Sequence, residues 1–234
     1  MNKIKIAFFE IEPWEKNYLE SHLRSFDLIF FEEKINSDNL KKITDANILS
    51  PFVYSLIDKN IINSSKSLKY IATRSTGFDH IDLKTCHNKK ILVSNVPTYG
   101  ENTVAEHSFA LILTLSRKIY PSLEKTKRGD FSLGGLRGFD LKEKTLGVVG
   151  TGNIGRHVIR IAKGFEMKIL AYDIKKDLKF SKKIGFKYST FDELLKNSDI
   201  ITLHLPYNKS THHLINKINL KQFKKGCYLI NTAR

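Results

Sequence analysis

The chain has 234 residues, of which 41% are hydrophobic, and its formal net charge is +15. This length and apolar content are enough for one large or two small globular domains. The apolar stretch at 108–116 is far shorter than the roughly 20 residues of a membrane helix, and Glu10 and Glu12 interrupt the N-terminal apolar run. We therefore expect a cytoplasmic protein without a membrane segment or an export signal.

The positive charge is scattered along the chain in lysine pairs. No block of five or six basic residues occurs, and no aromatic residues are spaced among the lysines as a stacking platform. This pattern favours a solvated basic surface over nucleic-acid binding. The two cysteines, Cys86 and Cys227, have no metal-binding spacing, so we expect reduced thiols and no metal site.

Short apolar strands alternate with helical patterns through the first hundred residues. Strands are predicted at 5–9, 28–31, 46–49, 70–73 and 92–94, and helices at 14–23, 40–43, 56–62 and near Leu83. Such alternation is typical of a parallel sheet with helices on its faces. Pro97 and Gly100 then interrupt the pattern. We predict two α/β domains, residues 1–99 and 100–234.

The second domain is predicted to begin with a helix at 104–119, capped by Asn102 or Thr103. This helix is apolar nearly all round, which indicates burial between layers, domains or subunits. A glycine-rich loop at 128–138 follows it and is expected to be exposed or to pack on a partner. Strands are then predicted at 146–149, 168–172, 186–188, 200–203 and 228–230.

The most informative motif is a glycine triplet, Gly150, Gly152 and Gly155, between an apolar strand and a helical pattern. The first glycine permits a tight turn, the second lets backbone approach a pyrophosphate, and the third lets the helix pack closely on the strand. Asp173 ends the next strand, where its carboxylate can accept hydrogen bonds from a ribose. The segment is therefore interpreted as half of a dinucleotide-binding site, the alternative being a glycine-rich turn with an incidental aspartate.

Five segments, in order, resemble the D-isomer-specific 2-hydroxyacid dehydrogenase family. They are RSTGFDHID at 74–82, VPTYGENTVAEH at 96–107, GVVGTGNIG at 147–155, SDIITLHLPYNKSTHHLIN at 198–216 and KKGCYLINTAR at 224–234. The resemblance covers the whole chain. It implies an α/β fold of two parallel-sheet domains: a flavodoxin-like substrate (catalytic) domain, 1–99, and a Rossmann-like NAD-binding domain, 100–234, incomplete at its C-terminus.

The resemblance implies an NAD-dependent oxidoreductase acting on the CH–OH group of a small D-2-hydroxy acid. The backbone N–H groups of Ser75, Thr76 and Gly77 would bind the substrate carboxylate. Arg234, the implied catalytic residue, would fork onto the carbonyl and carboxylate oxygens. Tyr99 would contact substrate, with packing in a hinge as its alternative. Without the resemblance, residues 75–77 would be interpreted as a plain loop; the RSTGF segment with Tyr99 favours lactate-type over phosphorylated substrates.

By the same resemblance, Asn153 and Ile154 would lie under the pyrophosphate of NAD. The remaining implied cofactor contacts are His204, Leu205 and Pro206 beside the adenosine, Thr211 on the phosphate side, and Thr232 and Ala233 near the nicotinamide. For His204 a local hydrogen bond at a strand end is the equally weighted alternative. Asp173 favours NAD over NADP because its carboxylate would repel a 2′-phosphate, although Lys175 and Lys176 could soften that preference.

The family's general-acid histidine and its partner carboxylate lie downstream of the arginine. The chain given ends at Arg234, and none of its eight histidines lies in a matching motif. We therefore expect little or no turnover, an expectation that pyruvate reduction at about 1 to 1,000 per second would contradict. A catalytically inactive NAD(H)-binding or sensing module is the alternative function. A homodimer through the helix at 104–119 and the loop after it is implied by the resemblance.

Overall fold

The computed structural model describes residues 3–233. The chain divides into two compact units, with the boundary between Tyr99 and Gly100. Each unit contains one five-stranded sheet, and all strand pairs found in both sheets are parallel. The predicted α/β fold with two parallel-sheet units is thus confirmed. No helix within residues 3–233 is long and apolar enough to cross a membrane.

The first unit has the strand order β2-β1-β3-β4-β5, which is the flavodoxin-type order. Side chains of β1 (Lys5–Phe8), which lies between β2 and β3, alternate between two cores: Ala7 packs in one cluster, and Ile6 and Phe8 in the other. Both faces of the sheet are therefore covered. The elements are β1 (Lys5–Phe8), α1 (Pro13–His22), β2 (Asp27–Phe30), α2 (Ser37–Leu40), β3 (Ile48–Ser50), α3 (Lys59–Ser64), β4 (Tyr70–Ala72), α4 (Leu83–Asn88) and β5 (Leu92–Ser94).

The second unit begins with two helices and continues with a sheet of order β10-β9-β6-β7-β8. Its elements are α5 (Glu101–Ser116), α6 (Ile119–Lys127), β6 (Thr145–Val149), α7 (Asn153–Gly164), β7 (Lys168–Tyr172), α8 (Leu178–Ile184), β8 (Lys187–Tyr188), α9 (Phe191–Asn197), β9 (Ile200–Leu203), a 3-10 helix (Asn219–Gln222) and β10 (Tyr228–Asn231). The chain runs from β6 outward in one direction and returns at β9 to continue in the other. This is the Rossmann order, whose ligand crevice lies at the carboxyl ends of the strands beside β6.

Helix α5 differs from its prediction at both ends. It begins at Glu101 with Gly100 as the N-cap residue, so neither Asn102 nor Thr103 caps it. It ends at Ser116 and not at 119, because the Ser116 carbonyl accepts a hydrogen bond from the N–H of Phe139 and Lys118 adopts a left-handed conformation with φ 55°. These two features turn the chain out of the helical path, and α6 starts as a separate helix.

The burial of α5 is confined to one stripe. Its buried residues recur at helical spacing and are Ala105, Ser108, Phe109, Ile112 and Ser116. Phe109 stacks on Phe165 with ring centroids 5.4 Å apart, which fixes α5 against the end of α7. On the opposite side, Leu115 is 40% exposed. The loop at 128–138 is exposed as well, with Phe131 and Leu133 open to solvent.

Candidate functional site

The glycine turn lies at the carboxyl end of β6. Gly150 has φ 94°, a left-handed conformation that residues with a side chain rarely adopt. Its N–H donates to the carbonyl of Tyr172 at 2.9 Å, and a Cβ here would overlap the carbonyl oxygen of His204. The turn is thus wedged between the ends of β7 and β9, at the crevice position expected from the strand order.

The other two glycines have different surroundings. A Cβ on Gly155 would overlap the carbonyl oxygen of Gly150, so the first turn of α7 rests directly on the strand end. At Gly152, the N-cap residue of α7, no heavy atom of residues 3–233 other than its own chain neighbours lies within 4 Å of the Cβ position, so it presents open backbone. The N-terminus of this 12-residue helix carries partial positive charge and free N–H groups. An open, Cβ-free approach to a helix N-terminus fits a pyrophosphate.

Asp173 follows β7 and faces the turn. Its Oδ2 accepts hydrogen bonds from the Thr151 N–H at 2.6 Å and the Thr151 hydroxyl at 2.9 Å, and its Oδ1 accepts one from the N–H of Lys175 at 2.8 Å. Burial alone would raise the pKa of this carboxyl, but the hydrogen bonds from Lys175 and Thr151 outweigh it and hold the pKa below its usual value. The group is therefore an ionised acceptor at neutral pH. The next residue, Ile174, is 92% exposed and offers an uncovered apolar surface beside it.

His204 follows β9, on the other side of the turn. Its N–H donates to the carbonyl of Val149 at 2.8 Å, and its Nε2 lies 2.9 Å from the Thr202 hydroxyl. The local hydrogen bond considered for this residue is thus present, while its backbone also forms one wall of the glycine turn. Burial lowers the pKa of the imidazole from 6.5 to about 4, so the ring is neutral at physiological pH.

This burial predicts a pH dependence of stability. The unfolded chain takes up a proton near pH 6.5 and the folded chain only near pH 4, so stability is full above about pH 6.5 and falls as the pH drops toward 4. The loss at this one site amounts to about 3 kcal/mol. We expect His204→Gln to flatten this part of the curve of unfolding free energy against pH. An unchanged slope in the variant would assign the acid sensitivity to other groups.

The remaining predicted cofactor residues lie in two loops. Leu205 reaches the Cβ position of Gly150, with its Cδ2 2.8 Å away. The Thr211 hydroxyl forms a hydrogen bond within its own loop, because it donates to the carbonyl of Pro206 at 2.6 Å. Thr232 follows β10 and its hydroxyl lies 3.0 Å from that of Ser108, which ties the strand end to α5. The N–H of Ala233 donates to its neighbour Asn231 at 3.0 Å.

Asn153 and Ile154 form the first turn of α7, directly after the open backbone of Gly152. The Asn153 side chain donates to Glu101 at the start of α5, at 3.2 Å. Ile154 packs against the core of the unit. Of these two, Asn153 is thus the side chain exposed at the helix N-terminus.

The predicted carboxylate loop follows β4 in the first unit. Ser75 is buried, and its hydroxyl donates to the carbonyl of Gly77 at 2.6 Å. Asn95 and Val96 donate to the carbonyls of Thr76 and Ser75 at 2.8 and 3.1 Å. The carbonyls of Ser75, Thr76 and Gly77 and the Ser75 hydroxyl thus have partners within the protein, whereas the N–H groups of residues 75–77 donate to no backbone carbonyl within residues 3–233. Consecutive free N–H groups suit an anion.

Arg74 precedes this loop. No role of its own was predicted for it from the sequence, although it is the first residue of the segment RSTGFDHID. Its guanidinium donates to the carbonyls of Ser50, Phe9 and Glu10 at 2.7, 2.9 and 3.0 Å and pairs with Glu15 at 3.3 Å. These carbonyls lie at or just beyond the carboxyl ends of β3 and β1, so the side chain fixes the base of the loop.

Tyr99 and Arg234 are the two remaining predicted site residues. Tyr99 is 57% exposed, and its hydroxyl has no hydrogen-bond partner among the described residues. Arg234 lies outside the described residues.

The structure therefore brings together Gly150, Asp173 and His204 at the carboxyl ends of β6, β7 and β9. Two further residues join this group that sequence reasoning missed. They are Thr151, which holds Asp173, and Tyr188 on β8, whose hydroxyl lies 3.0 Å from that of Thr151. The motif offered a signal for Thr151, as the variable residue inside the glycine triplet, but none for Tyr188.

Comparison with known proteins also indicates a dinucleotide-binding second unit. Residues 109–234 match the model of the D-isomer specific 2-hydroxyacid dehydrogenase NAD-binding domain. D-lactate dehydrogenase of Aquifex aeolicus, solved with NAD and lactic acid, is 39% identical with a TM-score of 0.92, over 98% of this chain and 69% of that one. A 2-hydroxyacid dehydrogenase homolog of Haemophilus influenzae is 36% identical and D-lactate dehydrogenase of Escherichia coli 34% identical, each over 99% of this chain and 71% of the relative.

These matches span both units of the chain and include relatives above 30% identity over more than two thirds of their length. They agree with the glycine turn, the acid after the second strand and the two strand orders. The chain belongs to the D-isomer specific 2-hydroxyacid dehydrogenase family, whose members are NAD-dependent oxidoreductases acting on small 2-hydroxy acids.

Proposed function

We propose that the chain binds NAD(H) on its second unit and a small 2-oxo or D-2-hydroxy acid of the pyruvate or lactate type on its first. The observation that carries the proposal is the glycine turn with its ionised acid: open backbone at Gly152, and Asp173 held by Thr151. The Aquifex aeolicus relative, solved with NAD and lactic acid, supports both halves.

The choice of NAD over NADP rests on Asp173. Its carboxylate is already fixed by three hydrogen bonds and stays ionised, so a ribose hydroxyl can donate to it whereas a 2′-phosphate would be repelled. The exposed side chain of Ile174 supplies an apolar surface that the adenosine would cover. Lys175 and Lys176 are exposed and lie on the strand-end loop, so they reduce this repulsion without replacing the acceptor.

For the acid, we propose that the N–H groups of Ser75, Thr76 and Gly77 bind the carboxylate, with Tyr99 as a further contact. NADH bound there would supply a hydride to the 2-oxo carbon, and the alkoxide so formed would need its proton from a general acid that none of the residues assigned here provides. The chain's residues hold the acid by its carboxylate, and the guanidinium of Arg234, by family resemblance, stabilises the negative charge that develops on the carbonyl oxygen. The neutral backbone donors bind an anion without adding a titrating group.

We also propose a homodimer through the second unit. Large apolar side chains are exposed in a run that follows and includes the end of α5: Leu115, Ile119, Tyr120, Leu123, Phe131 and Leu133. Solvent-exposed apolar clusters of this kind are typical of interaction surfaces. Sedimentation equilibrium tests the proposal, and a monomer at micromolar concentration would contradict it.

A stepwise calorimetric titration tests the function. NADH is added first, and pyruvate or D-3-phosphoglycerate is then added to the NADH complex. We expect heat from NADH and from pyruvate, with the phosphorylated acid weaker by about tenfold or more. NADH binding without binding of either acid would favour the sensing module, and absence of NADH binding would contradict the cofactor assignment.

A further inference from the structure

Four groups form a continuous line of hydrogen bonds that ends on Asp173. The N–H of Asp177 lies 3.1 Å from the hydroxyl of Tyr188, that hydroxyl lies 3.0 Å from the Thr151 hydroxyl, and the Thr151 hydroxyl lies 2.9 Å from Oδ2 of Asp173. The line spans three elements: the N-cap of α8, the edge strand β8 and the glycine turn. We name it the hydroxyl relay.

The direction of every bond in the hydroxyl relay follows from its ends. An ionised carboxylate only accepts, so Thr151 must give its single hydroxyl proton to Asp173. Tyr188 must then donate to the Thr151 oxygen, because Thr151 has no second proton. The Asp177 N–H can only donate, so it donates to the Tyr188 oxygen. All donors point toward Asp173, and bonds aligned in this way strengthen one another.

The relay is buried at Thr151 and partly buried at its other members. Thr151 is 4% exposed, and the ring of Tyr188 lies edge-on to Phe186 with centroids 5.2 Å apart. Asp177 is held in turn, because its Oδ1 accepts the N–H of Phe180 at 2.9 Å and its Oδ2 pairs with Arg156 at 2.7 Å. Loss of the Tyr188 or Thr151 hydroxyl therefore removes a hydrogen-bond partner from groups that are at least partly buried.

The two oxygens of the Asp173 carboxylate differ in the hydrogen bonds that they accept. Oδ2 receives two donors from Thr151, whereas Oδ1 receives the N–H of Lys175 and keeps capacity for another donor. A carboxylate fixed in this way cannot rotate to make room for a phosphate. The guanidinium of Arg156 is engaged as well, because it is paired with Asp177 and lies 5.0 Å from the ring centre of Phe180.

We propose that Thr151 and Tyr188 are positioning residues that set the discrimination between NAD(H) and NADP(H), by locking Asp173 in the conformation that accepts a ribose hydroxyl and excludes a 2′-phosphate. This inference rests on the proposed role of Asp173 and adds the residues that enforce it. Tyr188 acts from a different strand, without touching the cofactor.

Fluorescence titration with NADH and NADPH gives two Kd values. The ratio of the Kd for NADPH to the Kd for NADH measures the discrimination. We expect Tyr188→Phe to lower this ratio about fivefold and Thr151→Val about tenfold or more, since one and two polar contacts of roughly 1 kcal/mol each are lost. Thr151→Ser keeps the hydroxyl and should retain most of the discrimination. Tyr228→Phe removes a tyrosine hydroxyl from β10 of the same sheet and should leave the ratio unchanged.

Asp173→Asn separates the inference from the proposed function. If Asp173→Asn lowers the ratio but Tyr188→Phe and Thr151→Val do not, the relay proposal is overturned and the role of Asp173 stands. If Asp173→Asn leaves the ratio unchanged, the proposed role of Asp173 fails and the inference falls with it. A purely structural relay would weaken both cofactors equally and lower the melting temperature, which would also overturn the proposal.

Discussion

Gly155→Ala is expected to abolish NADH binding and to destabilise the second unit by several kcal/mol. The new methyl group would overlap the carbonyl oxygen of Gly150, which is backbone and cannot rotate away. Helix α7 must then move off β6, although its buried residues Val158, Ile159 and Ala162 pack in the core of the unit. Overpacking of this kind costs about 1–3 kcal/mol and more where backbone must shift. Urea unfolding and NADH titration measure the two effects.

Two other glycines of the same segment provide matched controls. Gly152→Ala places its methyl group in open space, so stability should be retained while the phosphates lose their approach and NADH binding is lost. Gly164→Ala, at the last residue of α7, also meets nothing within 4 Å and should keep binding, with stability unchanged or raised by up to about 1 kcal/mol. Normal NADH affinity in Gly152→Ala would contradict the assignment of the turn to the pyrophosphate.

Arg74→Met is expected to destabilise the first unit by about 3–5 kcal/mol and to weaken binding of the 2-oxo acid. The substitution removes the side-chain donor of the Phe9 and Glu10 carbonyls, leaves the Ser50 carbonyl with only the N–H of Phe9, and leaves the Glu15 carboxylate without its ion pair. Buried acceptors that lose a charged partner carry a large desolvation cost. Thermal unfolding and a titration of the NADH complex with pyruvate measure the effects.

The control for this substitution is Arg117→Met. Arg117 also pairs with an acid, Asp140 at 2.9 Å, but both side chains are mostly exposed, so the change should stay within about 0.5 kcal/mol. Because Arg74 belongs to the first unit, NADH affinity should be unchanged in Arg74→Met. A loss of stability no larger than that of Arg117→Met would show that the Arg74 contacts contribute little.

The site residues that could be predicted from the sequence are those that lie close together along the chain. The glycine triplet and Asp173 were predicted as cofactor residues because each has a local task at a strand end, and the backbone geometry at Gly150 and Gly155 agrees with those tasks. The parallel sheets were predictable for the same reason, since alternating short strands and helices leave few other arrangements. Contacts that join distant segments gave no such signal.

Tyr188 and Arg74 illustrate what the sequence does not encode locally. Tyr188 lies on a two-residue strand, and its hydroxyl reaches Thr151 only because β8 pairs with β7. Arg74 reaches carbonyls 24 to 65 residues away along the chain, which three parallel strands bring to one edge. The end of α5 was misplaced for a similar reason: the hydrogen bond from Phe139 to Ser116 is a tertiary contact that composition does not reveal.

We propose that the second unit is an NAD platform organised around the glycine turn and Asp173. Equilibrium titration of the chain with NADH and NADPH tests this proposal. We expect saturable NADH binding, with NADPH weaker by about tenfold or more, since a charge clash of over 1.4 kcal/mol corresponds to that factor. Absence of NADH binding, or equal affinity for the two cofactors, would contradict it.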